Sequence, residues 1–398
     1  MGSEARDSHA GKGRVMKLLV AGFNAHAQLD AQREGDVRAF GPVRGGPDDE
    51  HDVDVLFAGW STTVLHSPTA GIWSLGHQKL GLAEGATMEK EAIKASPRPT
   101  CAFGDHNGLI GLLSEDGRLH WATQHSASRD NLLVSVTTDA SPGVSHIAPA
   151  GNERVAVTFK QAPNGRLCHV VEFEDMEKFQ TWYEDPSGED NHPERHHMLP
   201  GRPKQLLANT ATFALLMEGG EVYSWGDARH QSLGRSTTAG GDGVVSAEEP
   251  GVVEALGGLR IAKVASGGWM SAALSEDGAL YLWGASMPGA ERSIRCLREA
   301  GAGEVVLVDI PGGEEGEPLD VVDVAVGDAH VAAVTADHRL FLVGDNTNGQ
   351  LGVDSEQQFY EDWTEVEALR DVHVQRVVCG PRATFTFVGS GYDSTQAT

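Results

Sequence analysis

Short apolar runs separated by polar turns recur along the chain and predict many short strands. In Ala265–Gly284, the apolar runs Ser271–Leu274 and Ala279–Trp283 flank the turn Ser275–Gly278. Both runs are apolar or small at nearly every position, which is typical of strands buried on both faces. The turn ends in Asp277-Gly278, and such a dipeptide suits a tight hairpin because glycine accepts positive φ. The pattern predicts a β-hairpin.

The same hairpin pattern returns with a constant spacing between a marker residue before its first strand and a glycine after its second strand. This spacing of 17 residues separates the following pairs: Gly59 and Gly76, Asn209 and Gly226, Gly267 and Gly284, and Gly327 and Gly344. Gly104–Thr123 fits after a two-residue insertion, and Arg154–Phe173 is a degenerate copy. The chain is therefore built from repeats.

The two chain ends supply complementary halves of one repeat. The last marker, Gly380, is followed by a single strand at Thr384–Val388, whereas Lys17–Leu29 begins with the missing half. Counting this shared repeat gives seven modules, which closes a ring with short, protected sheet edges. We predict an all-β fold: a seven-bladed β-propeller closed by pairing of N- and C-terminal strands in one blade. A propeller of another family is the structural alternative.

The repeats also resemble a known family. The pattern V-x-x-G-x-x-x-S/T/V…D-G-x-L/V-Y-x-W-G…N-x-x-G-Q-L-G is similar to the regulator of chromosome condensation repeat, and the resemblance covers about Met16–Val388. It implies a single-domain propeller over 16–388 with an insertion loop at 174–204. Flexible tails are predicted at 1–15 and 389–398, since both are polar.

Within that family, AGFNAHAQL, GGWMSAALSEDGALYLWG and VVCGPRATFTF resemble a subgroup of small adaptors for a Jumonji-type oxygenase at chromatin. The founding member of the family is a guanine-nucleotide exchange factor for a small GTPase that also docks on nucleosomes. Two features of that member are not recognisable in this sequence: its basic DNA-binding tail and the insertion that carries its exchange wedge. The resemblance implies protein partners, namely a chromatin factor, a Jumonji-type oxygenase or a small GTPase.

Charge and composition narrow the classes of function. The net charge of −26, from 31 basic and 57 acidic residues, argues against direct binding of nucleic acid, which gains its energy by neutralising phosphates. The four cysteines form no C-x-x-C pair, so the sequence predicts neither a disulfide framework nor a zinc site. No apolar run is long enough to span a bilayer. We expect a soluble monomer in the cytoplasm, the nucleus or both, without a cofactor.

The residues that follow each first glycine predict a partner-binding face, because the corresponding loops of all blades meet at one end of a propeller. Aromatic and arginine side chains are common hot spots there. The candidate binding residues are Trp60, Asp105, His106, Trp269, Met270, Asp328, His330 and Arg382, with Ser61 and Pro381 beside them. The alternative is that these side chains only pack the funnel and cap strand ends.

Other motifs are interpreted more simply. The acidic segments Gly46–Asp54, Glu184–Asp190 and Gly312–Asp320 are expected to be solvated loops, with a docking surface for a basic protein as the alternative. The histidines of NHPERHH (residues 191–197) are expected to be exposed loop residues that bind no metal. No nucleophile or phosphate-loop motif is present in the sequence. The sequence therefore predicts a non-enzymatic interaction adaptor, and guanine-nucleotide exchange is the alternative.

Overall fold

The fold consists of seven antiparallel sheets. The computed structural model describes residues 16–46, 52–78, 80, 98–105, 108–124, 131–135, 142–160, 165–188, 191–237, 245–289, 291–301, 303–313 and 316–389. Residues 1–15 and 390–398, where tails are predicted, lie outside this set. No helix within the described ranges is long and apolar enough to cross a membrane.

The blades are numbered in the order of their innermost strands along the chain. Blade 1 is β3 (Asp54–Ala58), β4 (Thr62–Ser67) and β5 (Gly71–Gly76). Blade 2 is β6 (Pro99–Asp105), β7 (Gly108–Ser114), β8 (Leu119–Gln124) and β9 (Asn131–Ser135). Blade 3 is β10 (Val144–Pro149), β11 (Val155–Phe159), β12 (Leu167–Phe173) and β13 (Arg195–Pro200). Blade 4 is β14 (Pro203–Ala208), β15 (Thr212–Met217), β16 (Val222–Gly226) and β17 (Gly251–Val252).

The remaining blades complete the ring. Blade 5 is β18 (Ile261–Gly267), β19 (Met270–Ser275), β20 (Leu280–Gly284) and β21 (Val306–Val308). Blade 6 is β22 (Val321–Val326), β23 (His330–Thr335), β24 (Leu340–Asp345) and β25 (Phe359–Glu365). Blade 7 is β26 (Val374–Gly380), β27 (Ala383–Gly389), β1 (Met16–Gly22) and β2 (Val37–Pro42). Among the described residues, two α-helices lie in connections within blades: α1 (Met176–Glu184) between β12 and β13, and α2 (Arg295–Glu299) between β20 and β21.

Both chain ends meet in blade 7. β1 and β27 pair in antiparallel register from Met16 opposite Gly389 to Gly22 opposite Ala383. The innermost strands contact one another in ring order, and β26 contacts both β22 and β3. The predicted seven-bladed propeller and its closure by the terminal strands are confirmed. The degenerate repeat at Arg154–Phe173 forms strands β11 and β12 of blade 3.

Each innermost strand carries a β-bulge or a similar irregularity, and the residue after several of these bulges bonds to the next blade. Lys263 Nζ lies 2.6 Å from Asp323 Oδ1 of blade 6. Asp323 Oδ2 in turn accepts a hydrogen bond of 2.9 Å from the backbone N–H of Val377 in blade 7. In the same way, Gln205 Oε1 accepts from Val264 N at 2.9 Å. A bulge re-aims a side chain, so these bonds join blades 4 to 7 around the channel.

The glycine markers of the repeat lie where neighbouring loops meet. Gly268, which follows the marker Gly267, has φ +54°, and a Cβ there would lie 1.8 Å from the carbonyl oxygen of Asp328. Its own carbonyl oxygen accepts a hydrogen bond of 2.9 Å from Thr210 N in blade 4. A side chain at Gly268 would push apart the loops of blades 4, 5 and 6, whose backbones are in contact here. A Cβ on the marker Gly267 would itself lie 2.6 Å from the carbonyl oxygen of Gly327 in blade 6. The repeated marker glycine therefore follows from how closely adjacent blades approach each other.

Blade 3 corrects the predicted insertion loop at 174–204. This segment forms α1 and the outer strand β13. Asp175 caps α1 by accepting a hydrogen bond of 2.7 Å from Lys178 N, and Phe179 and Tyr183 of α1 are fully buried beside Trp121. His197, predicted as an exposed loop residue, is mostly buried and lies 2.6 Å from the buried carboxylate of Glu172. Loop-like composition hid a helix whose stability comes from burying two aromatic rings.

Candidate partner-binding face

The loops between first and second strands and those between third and fourth strands lie at the same end of the propeller. Trp60 is in the β3–β4 loop, Trp269 in the β18–β19 loop, Asp328 in the β22–β23 loop and Arg382 in the β26–β27 loop. The antiparallel order of each blade fixes this arrangement, because strands one and three run in the same direction. Five successive blades, from blade 5 around to blade 2, thus bring predicted residues to one face.

The first cluster on this face joins blades 7 and 1 through Arg382, Trp60 and Phe23. The guanidinium carbon of Arg382 lies 4.5 Å from the centroid of the Trp60 ring, and the Phe23 and Trp60 ring centroids are 5.3 Å apart. The backbone N–H of Phe23 donates to the Arg382 carbonyl at 2.9 Å. Gln28 Nε2 donates to the Trp60 carbonyl at 3.0 Å. All three cluster side chains remain half-buried, so they present a firm aromatic and cationic surface to solvent.

A polar chain holds Arg382 from the other side. Arg382 Nη1 donates to Asn348 Oδ1 at 3.3 Å, and Asn348 Nδ2 donates to Asp36 Oδ2 at 2.8 Å. Asp36 also accepts a hydrogen bond of 3.0 Å from the backbone N–H of Asn24. Loops of blades 6 and 7 therefore fix the position of the guanidinium before any partner arrives, which lowers the entropic cost of binding.

Asp328 adds a carboxylate beside this cluster. Its backbone N–H donates to the Pro381 carbonyl at 3.0 Å. Desolvation by the surrounding loops raises the pKa of the Asp328 carboxyl, and the positive charge of Arg382 acts in the opposite direction. The carboxylate gains from a cation, so a basic group brought to the channel mouth would be favoured there.

A second cluster surrounds Trp269 at blades 4 and 5. The ring of His230 meets the Trp269 ring edge to face with centroids 4.7 Å apart, and the guanidinium carbon of Arg229 lies 5.8 Å from the Trp269 ring. Arg229 pairs with Asp227 at 2.6 Å, and this pairing lowers the pKa of the Asp227 carboxyl. His230 adopts φ 58°, a left-handed conformation that is uncommon outside glycine. The Arg229-His230 turn thus carries both side chains to the tryptophan.

Comparison with known proteins identifies the repeats. A family model described as "Regulator of chromosome condensation (RCC1) repeat" matches residues 219–274 and 337–387, and a second model of that description matches residues 321–350. RCC1 domain-containing protein 1 of Mus musculus is 34% identical over 221 residues, covering 47% of this chain and 55% of that protein. Its Homo sapiens counterpart is 31% identical over 226 residues, covering 47% and 56%. The chain therefore contains regulator of chromosome condensation repeats.

The matched region spans about half the length of these two curated relatives. Solved structures agree with the family in fold. Yeast RCC1 (Prp20), in its complex with Kap60, superposes with a TM-score of 0.69 at 14% identity, covering 100% of this chain and 97% of that one. Prp20p from Saccharomyces cerevisiae gives a TM-score of 0.65 at 16% identity, covering 97% and 94%. At these identities the likeness shows the RCC1-type propeller fold alone.

Two predicted binding residues are buried in this RCC1-repeat propeller, and their assignment to the surface is wrong. Met270 is fully buried at the start of β19. His330 is fully buried at the start of β23, where its Nε2 lies 3.0 Å from Thr384 Oγ1. Burial lowers the pKa of His330 to about 4, so the ring is neutral at physiological pH. Both residues belong to strands because the loops of the RCC1 repeats are only two or three residues long.

The other predicted residues differ in their surroundings. Asp105 is half-buried, and its Oδ1 accepts a hydrogen bond of 3.2 Å from Gly108 N, which closes its own hairpin. His106 lies outside the described residues.

Burial raises the pKa of all four cysteine thiols, to about 12 for Cys379 and about 11 for the others. Such thiols are poor nucleophiles at neutral pH.

The acidic segments are only partly described. In Gly312–Asp320, the Gly312 carbonyl accepts a hydrogen bond of 3.0 Å from Arg339 Nη2. Parts of all three acidic segments, residues 47–51, 189–190 and 314–315, lie outside the described residues.

The sequence analysis did not predict Phe23, Arg229 and His230, which complete the two aromatic clusters. The available signal was the loop that follows each closing glycine, GFNAHAQL and GDARHQSLG, which returns to the same face.

Proposed function

We propose that this RCC1-repeat propeller is a non-enzymatic adaptor that binds a protein partner on the face carrying Trp60, Arg382 and Trp269. The observation that carries the proposal is the Arg382–Trp60 stack, a half-buried cation and aromatic pair at the channel mouth. Tryptophan and arginine supply much of the binding energy at protein interfaces. Both side chains are already held in place in the unbound protein, so they can act as anchors.

The two clusters would bind together as one interface. Trp269 and Trp60 belong to blades 5 and 1, and the loops of blades 6 and 7 lie between them with Asp328 and Arg382. Aromatic anchors with both a carboxylate and guanidinium groups nearby suit a partner surface of mixed charge. A protein partner is also the kind of ligand named for solved relatives: Kap60 for yeast RCC1 (Prp20), and Gsp1p and histones for Prp20p.

The proposed partner is a chromatin factor, a Jumonji-type oxygenase or a small GTPase, met in the nucleus, the cytoplasm or both. To test this, tagged protein is used to capture partners from lysate of its source cells, and each captured protein is then purified and titrated directly. Arg382→Ala and Trp269→Ala should each weaken binding of the true partner by about tenfold. Arg260→Ala is the matched control, because Arg260 is 80% exposed and lies just before β18 at the opposite end of the blade.

Every variant must keep the wild-type melting temperature, so that a change in affinity reflects the binding face and not the fold. A partner whose affinity is unchanged by Arg382→Ala and Trp269→Ala, or is lowered equally by Arg260→Ala, would contradict binding at this face. Loss of folding cooperativity in Trp269→Ala would instead assign that tryptophan a structural role.

Guanine-nucleotide exchange is the competing function, since Gsp1p is named for the structural relative Prp20p. It predicts retention of a small GTPase when magnesium is chelated, and release when nucleotide and magnesium are added. The direct measurement is the rate at which a captured GTPase releases a fluorescent GDP analogue. Acceleration by catalytic amounts of this protein would replace the adaptor function, and an unchanged rate would leave the adaptor function in place.

A further inference from the structure

The outer strand of a propeller blade has one edge that no strand of its own sheet covers, and an exposed edge can accept an additional strand. Most outer strands with described side chains are protected. β17 and β21 have only two and three residues. β2 is bridged at Ala39 to Val353 of blade 6. β25 carries Glu361, Asp362 and Glu365, and the first two pair with arginines of α2.

The outer strand of blade 3 has none of these protections along most of its length. β13 has six residues, RHHMLP, and among the described strands it pairs with β12 alone. It contains no acidic residue and no lysine. Met198 is 53% exposed on β13, and Leu167 of β12 is 46% exposed on the same face of the sheet. An edge that is both apolar and long enough to pair is what proteins usually avoid.

The local charge of this edge is opposite to that of the whole protein. The paired segments 166–171 and 195–202 contain three arginines, three histidines and no acidic residue, in a chain of net charge −26. Two of these groups have internal partners, since Arg195 pairs with Glu248 at 2.8 Å and His197 lies against Glu172. Arg166, His169 and His196 are exposed around the apolar pair. A partner with carboxylates would therefore match this surface.

We propose that β13 takes up an extended segment of a partner protein as a fifth strand of blade 3, and that the side chains which this segment places on the face of Met198 and His196 are in turn apolar and acidic. The outward backbone groups of β13 would form the ladder, as in other cases of strand addition. Residues two apart share a face of a strand, so Met198 and His196 lie on one face of β13, together with Leu167 and His169 of β12. An apolar side chain of the segment then meets Met198, and a carboxylate two residues along the segment meets His196. A second copy of the chain is disfavoured, because it would place two cationic, histidine-rich edges together.

The test uses a fluorescein-labelled peptide in which pairs of valine alternate with pairs of glutamate, so that each face of the added strand carries both residue types. The peptide is about ten residues long so that it spans a strand. A peptide with lysine in place of glutamate is the charge control. Fluorescence anisotropy should show that the glutamate peptide binds, and that the lysine peptide binds at least about tenfold more weakly. Met198→Lys and His196→Glu should each weaken the glutamate peptide by about tenfold. Leu307→Lys is the matched control and should bind normally, because Leu307 is 54% exposed on the three-residue strand β21.

Hydrogen exchange locates the peptide and tests the fold of each variant. Bound peptide should slow exchange of the amides of residues 195–200, and Met198→Lys should melt at the wild-type temperature because the side chain is exposed. Equal affinity for the two peptides, equal loss in Leu307→Lys, or protection elsewhere would overturn the proposal. So would a dimer in sedimentation velocity that Met198→Lys dissociates, since the edge would then belong to a second copy.

Discussion

Blades 5 and 3 have the same four-stranded shape but reach it by different interactions. Blade 5 matches the repeat pattern, with Ala272 and Ala273 fully buried. Its Trp283 Nε1 donates to the Ser232 carbonyl of blade 4 at 3.1 Å. Blade 3 has a degenerate repeat and depends on the buried carboxylate of Glu172 and on α1. A blade can therefore be stabilised by an ion-pair network of its own strands and by packing on its neighbours, and the repeat motif is one of several ways to provide such contacts.

The largest expected effect is in blade 3. Glu172 is completely buried and pairs with Arg154 and His197. Glu172→Ala would leave both cations without their shared partner, so we expect a loss of about 3–5 kcal/mol in the free energy of unfolding. Urea unfolding followed by tryptophan fluorescence measures it. Glu248→Ala is the control, because Glu248 is half exposed and its ion pairs should contribute under about 1 kcal/mol. Similar losses in both variants would contradict the role given to Glu172.

The buried histidine of blade 6, His330, should make the free energy of unfolding depend on pH. Burial lowers the pKa of His330 from 6.5 to about 4, so the unfolded chain binds a proton between these values and the folded chain does not. Stability is therefore complete above pH 6.5 and falls as the pH is lowered towards 4, by about 3 kcal/mol for this group.

His330→Gln should make the stability of the protein less sensitive to pH in this range, as measured by urea midpoints at pH 7, 5.5 and 4.5. His169→Gln, at an exposed position on β12, should keep the wild-type dependence. A wild-type profile that is unchanged by His330→Gln would show that another group controls the acid range.

Alanine at Gly268, the residue that follows the marker Gly267 of blade 5, should lower the free energy of unfolding by somewhat less. Gly268→Ala places a Cβ at φ +54° and 1.8 Å from the Asp328 carbonyl oxygen, so the loops of blades 5 and 6 must shift, at a cost of about 2 kcal/mol. Gly258→Ala shares the positive φ, at +82°, but its Cβ would meet no atom within 4 Å. Melting temperatures of the two variants separate steric contact from backbone strain. Equal shifts would mean that close approach of the blades is unimportant.

The smallest effect concerns the tryptophan that marks the closing strand. Trp283→Phe keeps most of the buried ring but removes the N–H that bonds to Ser232, so we expect a loss of about 1 kcal/mol. The equivalent Trp225 of blade 4 packs with residues of blade 3 in a separate core cluster. Thermal unfolding of Trp283→Phe and Trp225→Phe compares the two. A loss well above that for Trp225→Phe would support the hydrogen bond as the stabilising feature, and equal losses would favour packing alone.

The repeat glycines made the ring predictable, and the sequence pattern located six of the seven hairpins directly. Blade 3 was predicted only from the size of the gap between markers, because its network of Glu172, Arg154 and His197 joins residues far apart in sequence. The same limit applies to the binding face. Trp60, Trp269 and Arg382 were predicted from their place after a glycine. Met270 and His330 were misassigned because one residue of register separates a loop from a buried strand.

The amino-acid sequence by itself determined the number of blades, the positions of the hairpin turns and the closure of the ring. These features depend on local rules, namely glycine at positive φ and apolar runs at strand length. Tertiary structure alone decided that α1 and β13 belong to blade 3, that Arg382 stacks on Trp60 from the other end of the chain, and which outer edge stays open. Those features depend on which residues the closed ring brings together, and no spacing along the chain encodes such contacts.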